Sequence, residues 1–305
     1  MTRPSRTEPA GRAYLDLQNR ARREGRGTQE LLVLYALERF LARLAAGPHA
    51  DAFVLKGGLL LAACAARRPT VDADLLACGL TNDTDTVLRR VRDIAVTRPA
   101  EDDGVRFIPD TARARTIREE NLYAGVRVTL QAIIATATVK LQLDVNFGDP
   151  VTPAPQLLSY PTLRDEHPPV RILGYPLATV IAEKLTTAID LGDTSTRVRD
   201  YADIWIVIRR HDLDGGELID ALTATAARRG IELRPLSSSV GELATLRRDV
   251  YSAYRRRVGH QTPGLPENLS ALLDEVIAFA DPLLADATST GVWSAAVRAW
   301  TARDG

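Results

Sequence analysis

The sequence predicts an α+β protein of two lobes, an amino-terminal lobe with packing helices and a mixed sheet over residues 1–170 and a helical lobe over residues 171–305. Three observations predict it. Up to Ala95, short apolar runs suited to strands alternate with helical periods; from Val105 to Phe147 apolar residues recur with the period of two that marks strands; beyond Tyr175 the period is helical to the end. The proline-rich passage from Pro150 to Pro169 reads as the connection between the lobes.

The first lobe opens on two amphipathic segments, Ala10 to Glu24 and Thr28 to Leu44. Thr28 is placed to cap the second, whose inner face carries Leu31, Leu32, Tyr35, Ala36 and Phe40. A strand from Ala52 to Leu55 follows, then the turn Lys56-Gly57-Gly58 and a helical run from Leu59 to Ala66. Val71 to Ala77 is a second strand carrying Asp72 and Asp74, and Asn82 to Ala95 is another helix. Further strands are expected at Val105 to Ile108, near Ala114 to Arg118, at Gly125 to Ile134 and at Thr138 to Phe147. The second lobe is expected to hold helices at Pro176 to Asp190, Thr196 to Arg210, Glu217 to Arg229, Gly241 to Arg257, Pro266 to Leu284 and Val292 to Ala302.

Composition narrows the chemistry. An apolar share of 45% with 26% charge over 305 residues suits a globular chain, and no stretch has the length or apolarity of a signal peptide or a membrane span. A cytoplasmic location, with no membrane partner, is therefore expected. Cys64 and Cys78 form no Cys-x-x-Cys pair, and His49, His167, His211 and His260 lie at no zinc spacing, so neither disulfides nor structural zinc is expected. The formal charge is zero but unevenly spread: residues 1–27 hold seven arginines against three acids, and Arg247 to Arg257 is a second basic island with Tyr251 and Tyr254 among its arginines. That island reads either as a solvated helix face or as a polynucleotide surface. Of 39 basic residues only Lys56, Lys140 and Lys184 are lysines, and a lysine fits a crowded phosphate site on a slimmer stem than arginine.

Asp-x-Asp occurs three times, and context separates the copies. Asp83/Asp85 lies in a helix-capping cluster, and Asp212/Asp214 in a turn before Gly215-Gly216. Asp72 and Asp74 instead interrupt a strand whose period of two puts both on one face, where two carboxylates repel unless a cation lies between them. In the strand ending at Phe147, Val139, Leu141, Leu143 and Val145 alternate with Lys140, Gln142, Asp144 and Asn146, so Asp144 points to the polar side. If the two strands are neighbours, Asp72, Asp74 and Asp144 supply the hard oxygen ligands that Mg²⁺ prefers and could support a two-ion site for an NTP substrate. Lys56-Gly57-Gly58, between strand and helix, offers bare backbone N–H groups to phosphate. In the second lobe Lys184 falls within the apolar stripe of Val180, Ile181, Leu185 and Ala188, and Asp203 enters the apolar run Tyr201 to Trp205. They make either a buried ion pair or a functional couple, with Lys184 reaching the triphosphate and Asp203 orienting it.

Taken in order, Phe53-Val54-Leu55-Lys56-Gly57-Gly58, Arg68-Pro69-Thr70-Val71-Asp72-Ala73-Asp74-Leu75, Leu143-Asp144-Val145-Asn146-Phe147-Gly148-Asp149, Ile181-Ala182-Glu183-Lys184 and Arg199-Asp200-Tyr201-Ala202-Asp203-Ile204 resemble the AbiEii-type nucleotidyltransferase toxins of the DNA polymerase β superfamily, which include mycobacterial toxins that modify tRNA. The resemblance implies a bilobed polymerase-β-like fold, Mg²⁺, an NTP donor and transfer of NMP to an RNA acceptor, typically the 3′ end of tRNA, with a cognate antitoxin encoded nearby. It implies Asp72 and Asp74 as metal acids, Lys184 as the triphosphate lysine, Asp203 as its partner and Thr70 as a nearby hydroxyl. Leu59 and Ala73 depart from the family pattern, which often has Ser or Thr and Ile there. The competing expectations are a small-molecule nucleotidyltransferase of the antibiotic-modifying kind and a catalytically silent nucleotide- or RNA-binding module.

Overall fold

The structure, a computed structural model, describes residues 3–64, 70, 72–119, 123–258, 262, 264–285 and 291–302. Arg68, Pro69 and Val71 of the quoted motif, the expected helix end at Ala65 and Ala66, and His260 lie outside the described residues. The chain divides into two compact units, one of Met1–Ala63, Thr70–Gly148 and Gln156–Gly174, the other of Cys64–Pro69, Asp149–Pro155 and Tyr175–Gly305. The last strand of the first unit runs to Gly174, so the main division falls there rather than at residue 170.

The first unit is framed by seven strands: β1 (Phe53–Lys56), β2 (Asp72–Ala77), β3 (Arg106–Glu119), β4 (Tyr123–Ile134), β5 (Ala137–Phe147), β6 (Gln156–Tyr160) and β7 (Val170–Gly174). They form one mixed sheet in the order β3-β4-β5-β2-β1-β7-β6, in which β2 runs parallel to β5 and β1 parallel to β7 while the other pairs are antiparallel. Its helices are α1 (Pro9–Glu24), α2 (Thr28–Ala46), α3 (Gly57–Ala63) and α4 (Thr84–Val96). Alternation sorts the faces of the sheet. Val126, Val128, Leu130 and Ala132 of β4 and Val139, Leu141, Leu143 and Val145 of β5 are buried, and α2 and α4 pack against these strands. Each such aliphatic side chain contributes about 1.5–3 kcal/mol on burial. The residues between them face the opposite side, and that is the polar face on which Asp144 lies.

Local chemistry explains most of the element ends. Asp83 caps α4 by accepting from the Thr86 N–H at 2.7 Å. α2 departs from expectation: Gly27 holds the cap position, Thr28 is already helical, and no side-chain cap bond forms. The two strands expected at Val105 to Ile108 and Ala114 to Arg118 are one, β3, whose register shifts between Ile108 and Arg113. The proline-rich passage is more than a connection, since β6 forms within it and pairs with β7 along five residues. α2 also buries ions that its apolar stripe did not announce. Arg43 donates to both carboxylate oxygens of Asp103, at 2.7 and 3.1 Å, and to the Val105 carbonyl at 2.9 Å, which ties α2 to the approach to β3.

The second unit contains α5 (Leu177–Leu191), α6 (Val198–Ile208), α7 (Gly215–Arg229), α8 (Leu243–Leu246), α9 (Arg248–Val258) and α10 (Leu269–Ala285), with the short strands β8 (Leu213–Asp214), β9 (Val292–Ser294) and β10 (Ala299–Thr301). Asp214 caps α7 through the Glu217 N–H at 3.0 Å, and Asp212 accepts from the Ala295 N–H at 2.8 Å, so this Asp-x-Asp is structural. The helix expected over Val292 to Ala302 is instead an antiparallel hairpin in the three-stranded sheet β10-β9-β8. Aromatic packing decides it: Trp293 and Trp300 lie on Phe279 with ring centroids 5.0 and 5.4 Å away, and their indole N–H groups donate to the Ile208 and Phe279 carbonyls at 2.7 and 3.0 Å. A helix would forfeit those partners. The basic island is also divided, at Arg247, whose guanidinium donates to the carbonyls of Ser195, at 2.7 Å, and Thr194, at 3.0 Å. Tyr251 and Tyr254 are buried, so neither offers a ring for base stacking. No described helix is long and apolar enough to cross a membrane.

Candidate active site

Sheet register brings the residues of the first unit together. On the polar face one row runs across five strands: Arg115 of β3, Arg127 of β4, Asp144 of β5, Asp74 of β2 and Lys56 of β1, each opposite the next. A second row, two residues along, holds Arg113, Thr129, Gln142 and Asp72. The two acids of β2 share a face as their period requires, and β5 is the neighbour that the convergence of Asp144 demanded.

Around Asp74 the chain is closely fitted. β1 ends at Lys56, which is only 7% exposed, and Gly57 turns the chain into α3 with φ +65°. A Cβ on Gly57 would stand 2.6 Å from Asp74 Cγ and overlap the carboxylate itself. The glycine therefore does two things, adopting a left-handed backbone and making room for the acid. Gly58 and Leu59 are buried within α3. Gly57→Ala is expected to cost about 1–2 kcal/mol for the backbone alone, more once Asp74 is displaced, and to lower Tm by about 2–4 °C per kcal/mol. A variant that melts with the wild type would show that the overlap is relieved at no cost.

Asp144 is 3% exposed, and its carboxylate is gripped by Arg127, whose Nε and Nη2 donate to Oδ1 and Oδ2 at 2.8 and 2.7 Å. Gln142 adds a longer bond to Oδ2 at 3.4 Å. Asp72, one row away, accepts from the Thr70 hydroxyl at 2.8 Å. The three carboxylates thus share a face and two adjacent strands without closing on a point: among the described residues no three His, Cys, Asp or Glu side chains are grouped to hold a metal ion. The tighter convergence expected from the sequence is not present, because Asp144 is turned to a cation of the protein's own and Asp72 is offset by one row.

Lys184 belongs to the second unit. Its ammonium donates to Asp200 at 2.6 Å and to Asp203 at 2.8 Å, and Arg197 donates to the other oxygen of Asp200 at 2.5 Å. Asp200 and Asp203 are three residues apart on α6 and so share a face, with Asp200 in the first turn, where the helix dipole favours an anion. Burial pushes the Asp200 carboxyl up, but Lys184 and Arg197 outweigh it and hold the group well below the usual carboxylate range. The ion pair expected between Lys184 and Asp203 is present, and sequence reading missed that Asp200 completes it. The helical spacing of three was available as a signal. No local signal existed for Arg127, which is found only through strand register.

The profile of the family described as "Nucleotidyl transferase AbiEii toxin, Type IV TA system" matches residues 39–279. The chain belongs to the AbiEii family. That stretch spans both units and takes in every candidate residue from Lys56 to Asp203. Among solved structures, a candidate nucleotidyltransferase from H. pylori is similar at 17% identity with a TM-score of 0.51, the match covering 85% of this chain and 97% of that one. JHP933 from Helicobacter pylori is similar at 16% identity with a TM-score of 0.52, covering 85% and 94% respectively. At such identity these two support the fold. Among curated proteins none matches the chain. Membership of the AbiEii family makes the protein a nucleotidyltransferase of the toxin–antitoxin kind.

Proposed function

We propose that this AbiEii-family nucleotidyltransferase transfers NMP from an NTP to an RNA acceptor, the 3′ end of a tRNA, so that translation is blocked, and that a cognate antitoxin restrains it. The observation that carries the reading is the row Lys56, Asp74, Asp144, Arg127, in which two carboxylates on adjacent strands lie between two cations on one polar sheet face. A nucleotidyl site must hold a triphosphate and a cation at once, and this row supplies both signs of charge. The donor set of this face suits magnesium, because Asp74 and Asp144 in the row and Asp72 in the next offer hard carboxylate oxygens and no soft ligand stands among them. When bound there, magnesium supplies charge neutralisation for the triphosphate and for the departing pyrophosphate.

The protein's own groups do the rest. Lys56 lies beside Asp74 in the register, and in this reading it and the backbone of Gly57 and Gly58 meet the phosphate oxygens. Thr70 orients Asp72 through its hydroxyl. Lys184 is the proposed triphosphate-binding lysine, its ammonium held by Asp200 and Asp203. In the transfer, the acceptor hydroxyl oxygen bonds to the α-phosphorus, the bond from that phosphorus to the bridging oxygen breaks, pyrophosphate leaves, and the hydroxyl proton passes to Asp144. Arg127 donates to both oxygens of Asp144 and so fixes the orientation of the carboxylate, while each oxygen keeps a lone pair for a proton or a cation. Arg127 is thus a positioning residue for Asp144.

The test is transfer of label from each α-labelled NTP to total tRNA in the presence of Mg²⁺, with Asp72→Ala as control. Label on tRNA that the control abolishes is the expected result. Label on small molecules alone would establish the antibiotic-type alternative, and an absence of metal-dependent transfer would establish the silent binding module.

A further inference from the structure

The polar face that carries the acids continues beyond them. From Asp144 outward across β5, β4 and β3, the registered residues are Lys140 with Gln131, Gln142 with Thr129 and Arg113, and Arg127 with Arg115. On the β4 and β3 side of the acids these rows carry Arg127, Arg115 and Arg113 and no carboxylate. Arg113, Arg115, Gln131 and Lys140 are exposed. Among the described residues no carboxylate pairs with Arg115 or Lys140. Arg113 is braced by donating to the carbonyls of Asp110 and Ala112, at 2.8 Å each, which holds its guanidinium at the surface without neutralising it. Lys140 is one of three lysines in the chain and, unlike Lys56 and Lys184, is not taken up by the proposed transfer site.

We propose that this open face of β3, β4 and β5 is the track on which the sugar-phosphate backbone of the acceptor RNA lies, leading its 3′ end to Asp74 and Asp144. The proposal rests on the RNA-acceptor reading above. The dimensions suit a polynucleotide rather than a small acceptor. Lys140 lies four residues along β5 from Asp144, about 13 Å at the rise of a strand, and Arg115 lies two strands away, about 10 Å at the usual spacing. Cations spread over such distances reach more than one phosphate of a backbone and exceed the span of a single small anion. The exposed members of these rows include no aromatic ring, so the face can bind the backbone but cannot stack bases. Binding along it is therefore electrostatic and indifferent to sequence, and base choice must arise elsewhere.

The experiment uses the full chain and a fluorescein-labelled tRNA, with binding followed by anisotropy over a series of salt concentrations. The triple variant Arg113→Ala, Arg115→Ala, Lys140→Ala is expected to bind about ten-fold or more weakly and to lose about 2–3 from the log–log salt slope. The rise in Tm on adding Mg²⁺ and NTP should stay at the wild-type value, since none of the three residues belongs to the transfer site. Wild-type affinity and slope in the triple variant, with label still transferred to tRNA, would overturn the track and leave the functional reading intact. A wild-type chain that neither binds nor labels tRNA would overturn both. An unchanged tRNA affinity with lost binding of the purified cognate antitoxin would reassign the face to a protein partner.

Discussion

Asp74→Asn is expected to lower nucleotidyl transfer by about a thousand-fold or more while leaving the fold in place. The substitution keeps the shape of the side chain, so the space above Gly57 stays filled, but it removes the charge of the acid that stands between Lys56 and Asp144 in the row. A metal-ligating carboxylate that offsets charge in the transition state is worth several kcal/mol, and about 1.4 kcal/mol is a factor of ten in rate. Two measurements check it. Single-turnover transfer of α-labelled NTP should fall to near background, and the stabilisation that Mg²⁺ and NTP give the wild type in a thermal melt should disappear, because a ligand raises Tm only as far as it binds the folded state. A variant that keeps transfer within ten-fold of the wild type would remove Asp74 from the site. Asp72→Ala is a less pointed probe, since it also frees the Thr70 hydroxyl that Asp72 now accepts.

The second large effect concerns Lys184. Lys184→Met takes the ammonium away from Asp203, which is fully buried, and from Asp200, which still accepts from Arg197. Removing one member of a buried ionic group costs about 3–5 kcal/mol because the charge left behind is unsolvated. The variant should therefore unfold at a distinctly lower urea concentration. Adding Asp203→Asn should recover much of that loss, since the buried charge that lost the ammonium is then gone, but it should not recover transfer if the ammonium is needed at the triphosphate. The double variant separates the two roles of the lysine: stable and active would assign it a structural role alone. The pH dependence follows from the sign of the Asp200 shift. A carboxyl held below its unfolded value of about 3.9 contributes stability that is present above that pH and lost as the pH falls through the folded value. The gap in stability between wild type and Lys184→Met should accordingly narrow below about pH 4. A gap that stays constant there would place the stabilising interaction elsewhere.

The sequence alone determined those features that depend on neighbours along the chain. The alternation from Val139 to Phe147 placed Asp144 on the polar side of a strand, the period of two put Asp72 and Asp74 together, and capping chemistry at Asp83 and turn chemistry at Asp214 set those copies apart as structural. The helical stripe around Lys184, read with the apolar run that Asp203 interrupts, was enough to pair the two residues. The tertiary structure decided everything that depends on register between distant strands. That Lys56, Asp144 and Arg127 fall in the row of Asp74, and that Asp144 is held by Arg127 instead of closing with the other acids, follows from pairings between separate strands. A slip of one residue would turn each of those side chains to the opposite face. The hairpin at Val292–Thr301 has the same origin, because its helical period is real but the indole rings find their partners on Phe279 and Ile208 only when the segment is extended. Local periodicity selects a face, and only the closed sheet and packed core select the neighbour that face meets.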